Sequence, residues 1–268
     1  MDLWTVVVLA LIQALTEFLP VSSSGHLGLY GFFFRVSYQG LTFDLALHLG
    51  TLLAVVAYFR RDLVVLAREL FALRSLSGMN PTQRLGVGIV VSTIPAVIVG
   101  ASMPDAFVES LRHPALIAIN LIVFGLLLGL ADRHGRGLRR EESVGPRDAL
   151  IIGAAQALAL IPGTSRSGIT MTAGLALGLD RSAAARYSFL MSVPITAMAA
   201  AHGAMTLVRS PEGFAWHEML LGATIAAVAG VVVIHWLLGI LRRVGTAPFV
   251  VYRVLLGLLV LALVAVRG

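Results

Sequence analysis

The chain contains no cysteine, which excludes disulfides and thiolate metal sites from any account of its stability or chemistry. It also lacks lysine: all 20 basic residues are arginine. Charge of either sign is scarce, at 13% of 268 residues, where a soluble domain carries about 25%. With 58% apolar residues and a mean hydropathy of +0.90, that scarcity excludes a water-soluble globule and defines a multi-span membrane protein. The net charge of +6 does not indicate a nucleic-acid partner, because the arginines gather in loops between apolar runs. A removable signal peptide is not expected. Met1-Asp2-Leu3-Trp4 has no basic n-region, and Pro20 with three serines stands where a small-residue cleavage site would be.

Six apolar runs reach the length needed to span a bilayer, about 20 residues each: 41–59, 84–101, 115–131, 185–207, 217–240 and 247–266. Other runs fall short. Asp2–Phe18 would be roughly 25 Å long as a helix against a hydrocarbon core of about 30 Å, and Pro20 ends it. Gly25–Phe34 is shorter. Asp148–Ile161 and Ser165–Leu177 repeat this broken pattern around Pro162-Gly163. Short interrupted segments at matching places in two halves point to re-entrant helices that meet near the midplane. Two small-xxx-small patterns, Gly125 with Gly129 and Gly174 with Gly178, mark close helix approaches. The segment 61–73 reads as an amphipathic helix lying on the membrane surface.

Arginine placement orients the halves. Arg60–Arg84 and Arg133–Arg147 hold five arginines each, and Arg242-Arg243 marks a third basic turn. The intervening segments 102–114 and 208–216 hold only Arg112 and Arg209. The positive-inside rule then puts the three basic turns in the cytoplasm and both termini outside. The resulting fold class is an all-α integral membrane protein with two inverted-topology repeats, each a re-entrant helix pair plus three transmembrane helices. The first repeat is 1–132, with its pair at 2–34 and spans at 41–59, 84–101 and 115–131. The second is 133–268, with its pair at 148–177 and spans at 185–207, 217–240 and 247–266. Together they form one structural domain.

Polar residues inside such a chain are functional candidates, since a charge at bilayer depth costs about 2.5–3.5 kcal/mol on insertion scales. They concentrate in the two breaks, Glu17–His26 and Pro162–Gly168. A single offset lays Gln13 on Gln156 and Ser22-Ser23-Ser24-Gly25 on Ser165-Arg166-Ser167-Gly168. Gln13 and Glu17 are four apart and share a helix face, where the carboxylate can act as a base or ligate Mg²⁺ or Ca²⁺. One of Ser22, Ser23 and Ser24 is expected to cap the following helix, whose N-terminus is an anion site. His26 stands three residues after Ser23, a spacing suited to a hydroxyl–imidazole bond that would activate a serine. Arg166 offers planar, bidentate donors for phosphate. Asp44 is a secondary candidate facing the cavity, with His48 one turn on. Asn120, His202 and His235 read as packing residues.

Gln13-x-x-x-Glu17-Phe18-Leu19-Pro20-Val21-Ser22-Ser23-Ser24-Gly25-His26 and Pro162-Gly163-Thr164-Ser165-Arg166-Ser167-Gly168 resemble the motifs of the bacterial undecaprenyl-diphosphatase, or bacitracin-resistance, family. Phe43-Asp44, Leu49-Gly50-Thr51, Arg186–Pro194 and Tyr252-Arg253 with Gly257 fit the same pattern, so the resemblance covers essentially the whole length. It implies a bacterial inner-membrane hydrolase that turns undecaprenyl diphosphate into undecaprenyl phosphate and inorganic phosphate. That activity recycles the lipid carrier for peptidoglycan synthesis and underlies bacitracin resistance. The resemblance also implies a catalytic centre at Gln13, Glu17, Ser23, His26 and Arg166, facing the outer, periplasmic side. Many members carry Glu where this chain has Gln13, so a pair of carboxylates is not expected here.

The mechanism expected on that basis is phosphoryl transfer to Ser23, with His26 as base and then acid. Arg166, Ser165 and Ser167, with Ser22 and Ser24, would hold the diphosphate, and Glu17 with Gln13 would bind Mg²⁺ or Ca²⁺. Attack by His26 or by water stays open. The partners are the polyprenyl diphosphate and membrane lipids, with no nucleic acid; a homodimer is compatible. The rival reading is a flippase of polyprenyl phosphates, since inverted repeats with half-helices are also a transporter architecture. A non-catalytic anion-binding module is a third.

Overall fold

The computed structural model describes residues 2–34, 40–104, 110–135, 137–209 and 216–267, except for the side chains at 41 and 202–209. The readings of His202 and Arg209 therefore lie outside the described residues. Apart from one isolated bridge between Arg139 and Leu179, the regular structure is helical.

The first break follows the sequence signals. Helix α1 (Leu3–Phe18) starts at Asp2, whose side chain accepts a bond from the Thr5 amide at 2.6 Å, and it stops before Pro20. Helix α2 (Ser23–Phe34) follows after four residues of turn. Helix α3 (Leu41–Tyr58) bends by 80° into α4 (Arg60–Phe71), the charged amphipathic helix expected at the surface. Helix α5 (Pro81–Ser102) opens with an Asn80–Gln83 capping box. Helix α6 (Pro114–His134) has Pro114 in its first turn, where the missing N–H costs nothing. The second break lies between α7 (Pro146–Ala157), a 3₁₀ turn at Leu158–Leu160, and α8 (Arg166–Ala176). Helices α9 (Arg181–Arg209), α10 (Trp216–Val244) and α11 (Ala247–Arg267) complete the chain.

Among the described residues, α5, α6, α10 and α11 are each long and apolar enough to cross a membrane, and α3 with α4 passes as a bent pair. Helix α9, which holds the expected span 185–207, is not among them although it has 29 residues. Residues 202–209 of that helix lie outside the described side chains; of the rest, Ala183, Ala184, Ala185, Tyr187, Phe189, Leu190 and Met191 pack inside the protein, while Met198 is exposed. The true lipid faces show the reverse pattern, with Val90, Ile94 and Ile98 of α5 and Leu255, Leu258 and Leu259 of α11 exposed.

Ion pairs gather the arginine-rich turns at one end. Arg186 of α9 meets Glu141 at 2.6 Å and Asp62 of α4 at 3.5 Å, while Arg181 meets Asp132 of α6 at 2.6 Å. At the same end Arg139 binds Asp148 in the first turn of α7 and the Leu177 carbonyl just past α8. The chain thus enters α7 and leaves α8 at one place. At the opposite end Val6 and Leu9 of α1, Leu27 of α2, and Phe43 and Leu47 of α3 form a small apolar cluster with Met219 of α10 packed against it.

Arg253 of α11 pins the two breaks together. Its side chain is fully buried and donates to the carbonyls of Pro20 (3.0 Å), Gly163 (2.9 Å) and Thr164 (3.0 Å), and to Leu121 and Asn120 of α6. Asn120 adds a bond from its amide to the Pro162 carbonyl at 2.9 Å, a specific task beyond the packing role expected for it. Carbonyls released by a broken helix at membrane depth have no water to turn to, and one guanidinium serves both breaks. Gly163 makes the fit feasible: its φ is +90°, and a Cβ there would lie 2.5 Å from the Ile117 carbonyl.

Candidate active site

Each break ends on a serine held in the left-handed region, Ser22 at φ 78° and Ser165 at φ 73°, the only non-glycine residues so placed among those described. Their hydroxyls accept the amides of Gly25 at 3.2 Å and Gly168 at 3.1 Å, so Ser22 and Ser165 are the capping serines. The residues that follow, Ser23 and Arg166, are thereby aimed at a common point.

That point is Glu17. Ser23 Oγ donates to Glu17 Oε2 at 2.6 Å, Gln13 Nε2 donates to the same oxygen at 3.2 Å, and Arg166 Nη2 donates to Oε1 at 2.8 Å. Arg166 is steadied by a second bond, from Nη1 to the Ser188 carbonyl at 3.1 Å. His48 Nε2 lies 3.6 Å from Glu17 Oε2, while its Nδ1 donates to the Asp44 carbonyl. Glu17, Ser23, Arg166, Asp44 and His48 all line a cavity of about 370 Å³, joined there by Ser24, Ser165, Arg112 and Gln156. Its apolar walls come from the later part of α5 (Ala96) and of α9 (Ile195, Ala199).

The structure brings together most of the expected site, with two differences, at His26 and at Ser167. His26 does not meet Ser23. Its Nδ1 donates to the Ser22 carbonyl at 2.7 Å, and its Nε2 faces the Tyr252 hydroxyl at 2.7 Å, with the two rings stacked. The Ser22 carbonyl accepts both the His26 amide, at 3.1 Å, and the His26 imidazole, which turns the ring away from the neighbouring hydroxyl. The carboxylate in contact with Ser23 is that of Glu17. Ser167 is buried with its hydroxyl on the Leu19 carbonyl at 3.0 Å and on Ser165, so it braces one break against the other instead of facing the cavity. Ser24 reaches the cavity, with a 3.4 Å contact to Ser22.

The donor set bears on the cation expected at Glu17 and Gln13. Glu17 has an N–H or O–H donor on each oxygen, and Gln13 presents its amide nitrogen to it. A cation that ligated Glu17 would share its oxygens with Ser23 and Arg166. The same donors, turned toward a ligand, suit a phosphate.

His48, Arg112 and Gln156 were not assigned to the site from the sequence, and Arg253 entered only as part of a family pattern. Asp44-x-x-x-His48 spacing was a usable signal for the first. Nothing in the sequence linked Arg112 to a cavity 95 residues from Glu17 along the chain (112 against 17).

A multi-span membrane protein whose buried carboxylate, serine and arginine hang from two broken helices is the class that fold and site define. Within it, the chain belongs to the bacitracin resistance protein BacA family, whose sequence model matches residues 6–259. It is 47% identical to Undecaprenyl-diphosphatase 2 of Stutzerimonas stutzeri over 266 residues, 98% of each chain. It is also 45% identical to the undecaprenyl-diphosphatase of Nitrosococcus oceani, over 97% of this chain and 98% of that one. With the undecaprenyl-diphosphatase of Hahella chejuensis it shares 47% identity over 94% of both.

Proposed function

We propose that this protein is an undecaprenyl-diphosphate phosphatase of the bacterial inner membrane that releases inorganic phosphate and returns the lipid monophosphate carrier to peptidoglycan synthesis. The 2.6 Å bond from Ser23 to Glu17, inside a cavity that also holds Arg166, carries the reading, beside family membership. A hydroxyl is a weak nucleophile unless a base sits next to it, and Glu17 sits there.

In this mechanism Ser23 Oγ attacks the terminal phosphorus as its proton passes to Glu17. The bridging P–O bond breaks and undecaprenyl phosphate leaves as an anion. Arg166 shifts from Glu17 toward the phosphoryl oxygens and offsets their charge. Water then attacks the Ser23 phosphoryl group, the P–Oγ bond breaks, and Glu17 returns its proton to Oγ. Phosphate departs with the oxygen and both hydrogens of that water. His26 positions the reacting serine by holding the Ser22 carbonyl. Mg²⁺ or Ca²⁺ binding beside Glu17 is a separate proposal that no step uses; added cation either raises turnover or does not. The test of the nucleophile is Ser23→Ala in purified protein. Loss of nearly all phosphate release from a prenyl diphosphate is expected, and near-normal release would transfer the attack to water or His26.

The two-repeat architecture belongs to the same proposal. Ser22 and Ser165 occupy equivalent positions with the same backbone geometry, and α1 packs on α10 as α7 packs on α5. The cavity is built from the first half of α3, the later part of α9 and Arg112, all remote from the arginine-rich end. With that end cytoplasmic, the site faces the periplasm. The second reading, a lipid flippase, draws on the same paired hairpins. Lipid movement across vesicles without phosphate release would favour it.

A further inference from the structure

The offset that pairs the two breaks also pairs Gln13 with Gln156, and the structure gives these glutamines different work. Gln13 is fully buried behind Glu17, and its Oε1, also without a partner among the described residues, lies outside the cavity lining. Gln156 lines the cavity, is only 2% exposed, and has an Oε1 with no hydrogen-bond partner among the described residues.

The orientation of that amide follows from how α7 meets α5. Gly153, one turn before Gln156 and on the same face, lies so near α5 that a Cβ there would come within 2.5 Å of the Ser92 carbonyl oxygen. That carbonyl consequently lies within reach of Gln156, and Nε2 donates to it at 3.4 Å. Turning the amide over would set oxygen against oxygen. Nε2 is therefore committed to α5, and Oε1 is left as a bare acceptor on the wall of a cavity that also holds Ser23 and Arg166.

A buried acceptor without a partner costs about 1–3 kcal/mol, and at Gln156, unlike Gln13, the cavity lets a ligand relieve that cost. An ionised phosphate oxygen cannot satisfy it, since both atoms only accept. An O–H group can.

We infer that Gln156 is a further catalytic residue, whose Oε1 accepts a hydrogen bond from an O–H of the reacting group. Two groups supply that chemistry: the water that attacks phosphorus, or a protonated oxygen of the bound phosphate. The inference rests on the hydrolase reading above.

The test is Gln156→Met, which keeps length and volume and removes the acceptor. Phosphate release from a prenyl diphosphate is followed in detergent together with thermal unfolding. Turnover should fall on the order of 10-fold or more, while the melting temperature holds or rises, because an unsatisfied acceptor has been replaced by an apolar group. If Oε1 orients the water, kcat falls and KM stays. If it binds a protonated phosphate, KM rises, and the increase of wild-type KM with pH above about 6 flattens in the variant. Unchanged kcat and KM would overturn the inference. So would a variant that fails to fold, or whose lost activity is accompanied by a melting temperature several degrees lower, since Gln156 would then serve packing. Wild-type protein releasing no phosphate would instead refute the hydrolase reading, so the two failures are distinct.

Discussion

Replacing Arg253 should separate stability from chemistry more clearly than any change inside the cavity. Of the five carbonyls it serves, Leu121 and Asn120 sit within α6 and keep helical partners. Pro20, Gly163 and Thr164 lie in the breaks, outside any helix. Arg253→Met leaves these three unsatisfied at about 1–3 kcal/mol each, so a loss of at least about 3 kcal/mol is expected. For a domain of this size that corresponds to a melting temperature about 6–12 °C lower. Arg253→Lys keeps the charge and up to three donors, but a single ammonium cannot span carbonyls contributed by two breaks, so it should recover only part of the loss. The assay is thermal unfolding in detergent, with phosphate release measured well below the transition. Activity should fall as well, because Ser23 and Arg166 are aimed by the turns that Arg253 holds. An Arg253→Met protein melting within about 2 °C of wild type would refute the reasoning, as water or a rearranged turn would then be satisfying those carbonyls.

Glu17→Gln should cut phosphate release by on the order of 10²–10⁴, since it removes both the base for Ser23 and the counter-charge of Arg166. Gln13→Leu deletes one bond to Glu17 and should cost only about 5–10-fold, roughly the worth of a single hydrogen bond; equal damage from the two would show that both groups act alike. For topology, the absence of native cysteine allows single-cysteine labelling without background. Cysteines at Ser77 and Leu138, both exposed, should resist an impermeant reagent added to intact cells, and labelling from outside would invert the orientation proposed here.

What the sequence revealed, it revealed through composition and interruption. The broken pairs were visible because Pro20 and Pro162-Gly163 stop helices that are too short to span, and α1, α2, α7 and α8 formed on either side of them. Glu17, Ser23 and Arg166 were visible because polar groups are rare in such a chain. The partner of Ser23 was not. Helical spacing places His26 within reach of Ser23, but it says nothing of the Ser22 carbonyl one turn back, which the imidazole takes instead. Arg253 could not be interpreted from its neighbours along the chain, because each of its acceptors lies at least 89 residues away.

The offset between the breaks explains why the site needs both of them. It lays Ser23 on Arg166 and Glu17 on Leu160, so the proposed nucleophile and base come from one half and the guanidinium from the other. Neither half could therefore hold and cleave a diphosphate alone. What remains matched is scaffold: the capping serines Ser22 and Ser165 and the glycines Gly25 and Gly168 that bond to them. Divergence has fallen on the positions that touch the ligand, where two identical halves would have set like charges against each other. An asymmetric pair instead places a carboxylate opposite a guanidinium, which lets each be buried at membrane depth until a phosphate arrives to take the carboxylate's place.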